Sequence, residues 1–301
     1  MRREYLAPTQ ITDIMKRPFT PNRRLIERIG FAGLTTTALV TTLPIVGTIV
    51  YILIQGAPAI SLEFLTSFPR DGMRAGGILP AIIGTLYLAL GVSIFAVPLG
   101  IAAAIYLAEY ASDTPLTRTI RIAIINLAGI PSVVYGLFGL GLFVLFLNFG
   151  TSILAASLTL SIMTLPVIIS TAEEALRTVP QSFRTVSASL GATRWQTIRR
   201  IVLKEALPGI LTGVILGLER AVGETAPILF TGAAFFLPRL PNSPFDATMA
   251  LPYHLFVIST QVPNMPVQIQ YGVALTLLAF VLTMNLVATV IRSRARAKRQ
   301  W

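Results

Sequence analysis

The chain of 301 residues contains no cysteine and a single histidine, His254. Disulfides, thiolate chemistry, Cys-ligated zinc and iron–sulfur clusters are thereby excluded. A Ser-His-Asp triad or a multi-His metal site would have to be built around one imidazole. Lysine is nearly as scarce: Lys16, Lys204 and Lys298 are the three, and none follows a glycine. The phosphate-cradling loop G-x-x-x-x-G-K-[ST] is absent, so any ATP that drives this protein is hydrolysed by another chain. Charge is the largest deficit. Only 12% of residues are charged and 54% are hydrophobic, with a mean hydropathy of +0.73, whereas a soluble domain carries about 25% charged residues.

The position of that deficit decides the class. The chain runs without charge over 29–62, 75–108, 122–172 and 247–291, and about 20 apolar residues already cross a hydrocarbon core of ~30 Å. An all-α integral membrane protein with six transmembrane helices is expected, near 31–55, 78–108, 121–147, 152–171, 207–236 and 271–291. The second is expected to be interrupted at Pro98-Leu99-Gly100. The run 122–172 must hold two helices, and Asn148-Phe149-Gly150 is the natural turn between them. The chain then divides into an N-terminal arm 1–28, a first span with its outer loop 29–74, a core of five spans 75–292 that includes the loop 172–206, and a basic tail 293–301.

Twenty-four Lys and Arg outnumber thirteen Asp and Glu, for a formal net charge of +11. Twenty of the 24 fall in 1–28, 109–121, 172–206 and 292–301; three fall in the alternate segments, and Arg220 alone lies inside a predicted span. Cytoplasmic loops carry the Lys/Arg excess, so both termini and the loop 172–206 are expected in the cytoplasm. Positives spread over helix ends are no nucleic-acid footprint, which gathers on one soluble surface. No cleaved signal peptide is expected, because polar and basic residues occupy 1–28 ahead of the first apolar run; a short helix near 10–17 is expected within that arm.

Glu219, Arg220 and Glu224 are the charges inside a span. Arg220 lies twelve residues beyond Pro208, about 18 Å at 1.5 Å per residue, near the expected midplane. An arginine there costs about 2.5–3.5 kcal/mol on insertion scales and normally faces a bundle interior or a watery path. Four-residue spacing puts Arg220 and Glu224 on one helix face, while Glu219 points elsewhere. Two readings stay open: an internal clamp, or a guanidinium fork meeting a permeating oxyanion, with Glu224 tempering its charge.

In the loop 172–206, Phe183, Val186 and Leu190 stand at helical spacing after Pro180, and Gly191 breaks the segment. A second segment places Trp195, Ile198 and Ile201/Val202 on one face, with Arg194, Arg199, Arg200 and Lys204 toward the polar side. Two short amphipathic helices joined at a glycine suit a docking surface or a helix lying among anionic headgroups. Glu173 and Arg177 are spaced as a solvated i,i+4 ion pair, with gating as the alternative. Pro131, Ser132 and Tyr135, with Gly136, Gly139 and Gly141, read as helix packing or as lining groups. His254, in a Pro-rich outer loop, is structural or part of a partner-facing surface.

The loop resembles the EAA loop of bacterial ABC-importer permeases: Gly191 takes the glycine, and Ile201 and Leu203 follow at the family's spacing. Thr185-Val186-Ser187 stand where E-A-A is usual, and Lys204 replaces the proline. The segments 76–111, GIPSVVYGLFGLG (129–141), TAEEALRTVPQSFR (171–184) and ERAVGETAPILFTG (219–232) resemble, in order, the PstA-type permease family of phosphate ABC importers. That resemblance implies a MetI-like permease fold in the bacterial inner (plasma) membrane and phosphate import without catalysis by this chain. It implies a coupling helix whose ATPase contacts map to Thr185, Val186, Ser187, Ser189, Leu190, Gly191, Ala192, Thr193 and Trp195. It also implies a PstC-type partner permease, two PstB-type ATPase subunits that use ATP and Mg, and a PstS-type phosphate-binding protein. No cofactor bound by this chain is expected. A permease for another oxyanion or small solute, or an ATP-independent secondary transporter or channel, is the alternative.

Overall fold

The computed structural model describes residues 21–297, with side chains from 25 to 294; the helix expected near 10–17 lies outside the described residues. The described residues divide into two units, the boundary falling between Leu53 and Ile54. The first holds most of helix α1 (Pro21–Gly56), whose side chains are exposed from Leu25 to Val50. Three of its threonines bond to their own helix: Thr48 Oγ1 donates to the Pro44 carbonyl at 2.8 Å, and Thr37 and Thr41 do the same to Gly33 and Thr37. That back-bonding lets hydroxyls sit in an apolar helix with no external partner.

The second unit begins with a short helix α2 (Leu62–Thr66), capped by the Ser61 hydroxyl, which accepts the Phe64 N–H at 3.1 Å. A two-residue hairpin follows, β1 (Pro69–Arg70) antiparallel to β2 (Ala75–Gly76), a small departure from an all-α reading. Phe64 and Met73 from this stretch are buried with Ile78 and Val273 in the main core. The segment 57–74, grouped in sequence with the first span, falls within the second unit.

Ten helices follow among the described residues. These are α3 (Leu79–Ile105), α4 (Pro115–Ala128), α5 (Ser132–Gly139), α6 (Ile153–Arg177), α7 (Gln181–Ser189), α8 (Arg194–Thr197), α9 (Leu203–Gly223), α10 (Ala226–Thr231), α11 (Leu251–Thr260) and α12 (Val267–Ala297). Helix α6 is central, packed along α3 on one side and α9 on the other. It starts at a Ser152 cap that accepts the Ala155 N–H at 3.1 Å. Ile168 is the knob that sets the helix spacing. A Cβ placed on Gly100 of α3 would lie 2.6 Å from one Ile168 carbon, and one on Gly217 of α9 would lie 2.8 Å from another. Both flanking positions need glycine for that close approach.

Among the described residues, five helices are long and apolar enough to cross a membrane: Leu25–Ala59, Leu79–Tyr110, Ile153–Arg177, Arg194–Gly223 and Val267–Arg294. The pair Pro115–Ala128 and Ser132–Phe146, bent by 102°, makes a sixth when counted as one span. Three expectations need correction. No interruption occurs at 98–100: α3 runs through Pro98, as membrane helices tolerate. The third span is broken at 129–131, where Pro131 bars its predecessor from helical backbone. The fifth span does not run 207–236: its helix begins at Arg194, ends at Gly223, and is followed by the separate α10. The turn at 148–150 is as expected, with Asn148 at φ 55° and Gly150 at φ 65°.

Candidate functional site

Arg220 occupies the last turn of α9, and the helix stops three residues later with Glu224 in extended backbone at φ −79°, ψ 139°. Helix carbonyls left unpaired at that end favour a cation, which gives Arg220 a local reason to be there besides any ligand. Arg220 Nε lies 3.7 Å from Glu224 Oε1. The pair forms, but through the turn out of the helix rather than along a helix face. Its side chains stay 32% and 19% exposed, so the guanidinium is not sealed in. Glu219 makes no ion pair within 4.0 Å among the described residues, and its Oε1 is buried with no hydrogen-bond partner among them.

The bent pair α4–α5 approaches this break. Tyr135 is buried, and its hydroxyl donates to the Leu127 carbonyl at 2.8 Å, tying the two limbs together across the bend. Tyr135 thus has a structural bond. Gly136 presses on Ala226, Pro227 and Phe230 of α10, and Gly139 on Thr159 of α6; Gly141 has open space around it. His254 is in α11 and only 2% exposed, so it presents no surface to a partner. Burial pushes its pKa down to about 4.

The loop between α6 and α9 forms two helical limbs. Pro180 precedes α7; Gly191, at φ +78°, turns the chain; and Thr193 caps α8 in a reciprocal box with Gln196 (3.3 and 2.9 Å). Left-handed backbone at 191 is the physical need for glycine there. Val186 (60%), Leu190 (82%) and Trp195 (52%) are exposed, as are Thr185, Ser189, Gly191 and Thr193, with Ala192 partly so. Ser187 is the exception: it is buried and shares a 2.8 Å hydrogen bond with Thr197, which locks the two limbs together. Trp195 also separates from its expected face, since Ile198 and Val202 are buried while it is not. A groove of about 540 Å³ lies between the limbs, lined by Phe183, Val186, Leu190, Ile201 and neighbours.

Sequence reasoning missed the charges that hold this loop to the spans. Glu173 is no solvated pair. It is buried, and its Oε1 accepts Arg121 Nε at 2.8 Å as well as Arg177 Nε at 3.0 Å. Arg121 also donates to the Leu107 carbonyl at 2.8 Å. Arg184 of α7 reaches Glu109, at the end of α3, with Nη2 at 2.6 Å from Oε1. Arg121 and Arg184 look, in sequence, like two more loop positives. The available signal was Glu109, the first charge after the uncharged run 75–108.

Residues 96–297 match the family described as "Binding-protein-dependent transport system inner membrane component". The chain is 34% identical over 295 residues to "Phosphate transport system permease protein PstA 1" of Mycobacterium tuberculosis (strain ATCC 25618 / H37Rv), covering 96% of this chain and 95% of that one. It is 31% identical over 281 residues to "Probable ABC transporter permease protein YqgI" of Bacillus subtilis (strain 168), covering 89% and 95%. A chain of a bacterial alginate ABC transporter, crystallised with an alginate pentasaccharide-bound periplasmic protein, shares the fold at a TM-score of 0.66 and 15% identity, over 93% of this chain and 98% of that one.

Proposed function

The chain belongs to the family of binding-protein-dependent transport system inner membrane components, and on that premise we propose that it is the permease subunit of an ATP-driven importer of inorganic phosphate, forming half of the translocation pathway. It is a multi-pass membrane protein and a subunit of a larger transporter. The observation that carries the substrate is the 34% identity, over nearly the whole chain, to a protein named as a phosphate permease. Arg220 is consistent with it: a partly exposed guanidinium where a helix breaks offers forked donors matched to phosphate oxygens.

In this reading a PstC-type subunit supplies the other half of the pathway, a PstS-type protein delivers phosphate, and two PstB-type subunits bind Mg–ATP and hydrolyse it. The membrane is the bacterial inner membrane, with the α7–α8 loop on the cytoplasmic side. The exposed Val186, Leu190 and Trp195, with Thr185, Ser189, Gly191, Ala192 and Thr193, form the face that docks the ATPase; Ser187 supports that face from within. Arg220 greets the anion, Glu224 moderates its charge at 3.7 Å, and Glu219 flanks the pathway. A path must hold its ion weakly enough to release it, and a loose counter-charge does that.

The test is reconstitution of the full complex in vesicles, with phosphate, sulfate and an uncharged solute offered in competition. ATP-dependent accumulation of phosphate, undisturbed by sulfate, is expected. Accumulation of another oxyanion would overturn the substrate, and phosphate movement by the purified chain without ATP or partners would overturn the mechanism.

A further inference from the structure

We propose that Glu109 and Tyr110, consecutive residues at the end of α3, are positioning residues that receive the movement of the α7–α8 loop and carry it into the spans. The inference rests on the ATP-driven reading above, and its evidence is geometric. Each of the two residues is held by an arginine from a different limb of the loop. Arg184 of α7 places Nη2 2.6 Å and Nε 3.2 Å from Glu109 Oε1. Arg194 of α8 lies over the Tyr110 ring, 4.8 Å from its centre.

The Arg184 contact is built as a fixed joint. Its Nη1 donates to the Val179 carbonyl at 2.7 Å and its Nη2 also to the Leu176 carbonyl at 3.0 Å. One guanidinium therefore ties α7 to the end of α6 and to the turn Tyr106–Tyr110 that continues α3. The Glu109 and Arg184 side chains are 7% and 18% exposed, so the pair is shielded from salt screening. A planar fork whose donors meet a carboxylate and two carbonyls resists reorientation in a way that a lysine would not. The limbs themselves cannot separate easily, because Ser187 and Thr197 are joined at 2.8 Å in the interior.

Glu109 and Tyr110 fall on a widened helical turn, and a second such turn directly follows α8. Tyr106–Tyr110 and Ile198–Val202 are π turns, local irregularities that absorb or aim displacement and recur at functional sites. From Glu109 the path continues through packed backbone: α3 meets α6 at Gly100 against Ile168, and α6 meets α9 at Ile168 against Gly217. Gly217 stands one turn before Arg220. Displacement of the loop by a partner thus arrives at the helix break that carries Arg220 without crossing a mobile segment.

Glu109→Gln in the complete transporter, reconstituted in vesicles with its binding protein, tests this. The amide preserves the shape but loses the charge that holds Arg184. Basal ATP hydrolysis and subunit stoichiometry are expected to stay at wild-type levels, while phosphate moved per ATP falls by about tenfold, within the roughly 5–150-fold range of coupling energies between sites. Glu109→Asp, which retains the charge, is expected to recover part of the ratio. A wild-type ratio in Glu109→Gln, or uptake and hydrolysis falling together, overturns the inference. If that variant does not assemble, Tyr110→Leu removes only the ring beneath Arg194, and an unchanged ratio there is equally fatal. Wild-type vesicles that hydrolyse ATP but accumulate no phosphate would defeat the substrate reading instead. The joint is then read from stimulation of hydrolysis by the loaded binding protein.

Discussion

Arg220 Nε and Glu224 Oε1 stand 3.7 Å apart, close enough for attraction and too far for a hydrogen bond. A tight bidentate pair would neutralise the arginine and occupy its donors. The separation observed leaves the guanidinium fork available to an anion while a carboxylate stays near. Arg220→Gln is therefore expected to reduce phosphate uptake by at least about tenfold, a charged hydrogen bond being worth roughly 1.5–3 kcal/mol, with the complex still assembled. Uptake at the wild-type rate would reduce Arg220 to a clamp. Glu224→Gln is expected to slow release rather than binding, seen as a lower maximal rate at unchanged or tighter phosphate affinity.

Glu173 joins α6 to α4 through Arg121 and serves Arg177 from the same oxygen. Glu173→Ala would leave two guanidinium groups facing each other at the edge of the interior. The expected loss is about 2–3 kcal/mol, below the roughly 3–5 kcal/mol of a fully sealed pair because Arg177 is half exposed. Thermal unfolding in detergent reads it, and the loss should change little between low and high salt.

A Cβ on Gly217 would lie 2.8 Å from Ile168, so any side chain there must displace it. Gly217→Val is expected to destabilise by roughly 1–3 kcal/mol through overpacking. Combined with Ile168→Ala, the loss should be smaller than the sum of the two single losses, because the cavity left by one accepts the methyls of the other. Simple additivity in the double-mutant cycle would show that the knob does not set the spacing.

Burial holds His254 neutral, with its pKa lowered from 6.5 to about 4. The unfolded chain binds a proton near pH 6.5 that the fold refuses. Stability from this group is therefore complete above pH 6.5 and declines as pH falls toward 4, by up to about 3 kcal/mol. Replacing His254 by Gln should flatten that acid limb, measured as the difference in melting temperature between variant and wild type from pH 7 to pH 4.5. Parallel curves for the two proteins would contradict it.

Much was legible in the sequence because its cause is local. Runs without charge mark helices whatever surrounds them, and Gly191 marks a turn because its left-handed backbone conformation disfavours a Cβ. What stayed hidden depends on who meets whom. Glu173, read from spacing alone, looked solvated; Arg121, 52 residues away, makes it a buried bridge. Ser187 looked like a docking residue until Thr197 turned it inward.

The sequence by itself determined the class, the number of candidate spans, the hinge of the loop and the one arginine that topology does not explain, since hydropathy and backbone chemistry are properties of contiguous residues. Only the tertiary structure decided that α9 stops at Gly223 beside Arg220 and that Arg184 and Arg194 grip Glu109 and Tyr110. An ion pair spanning 75 residues has no period in the sequence. It exists because helix packing brings two distant helix ends together in an interior where neither charge could remain alone.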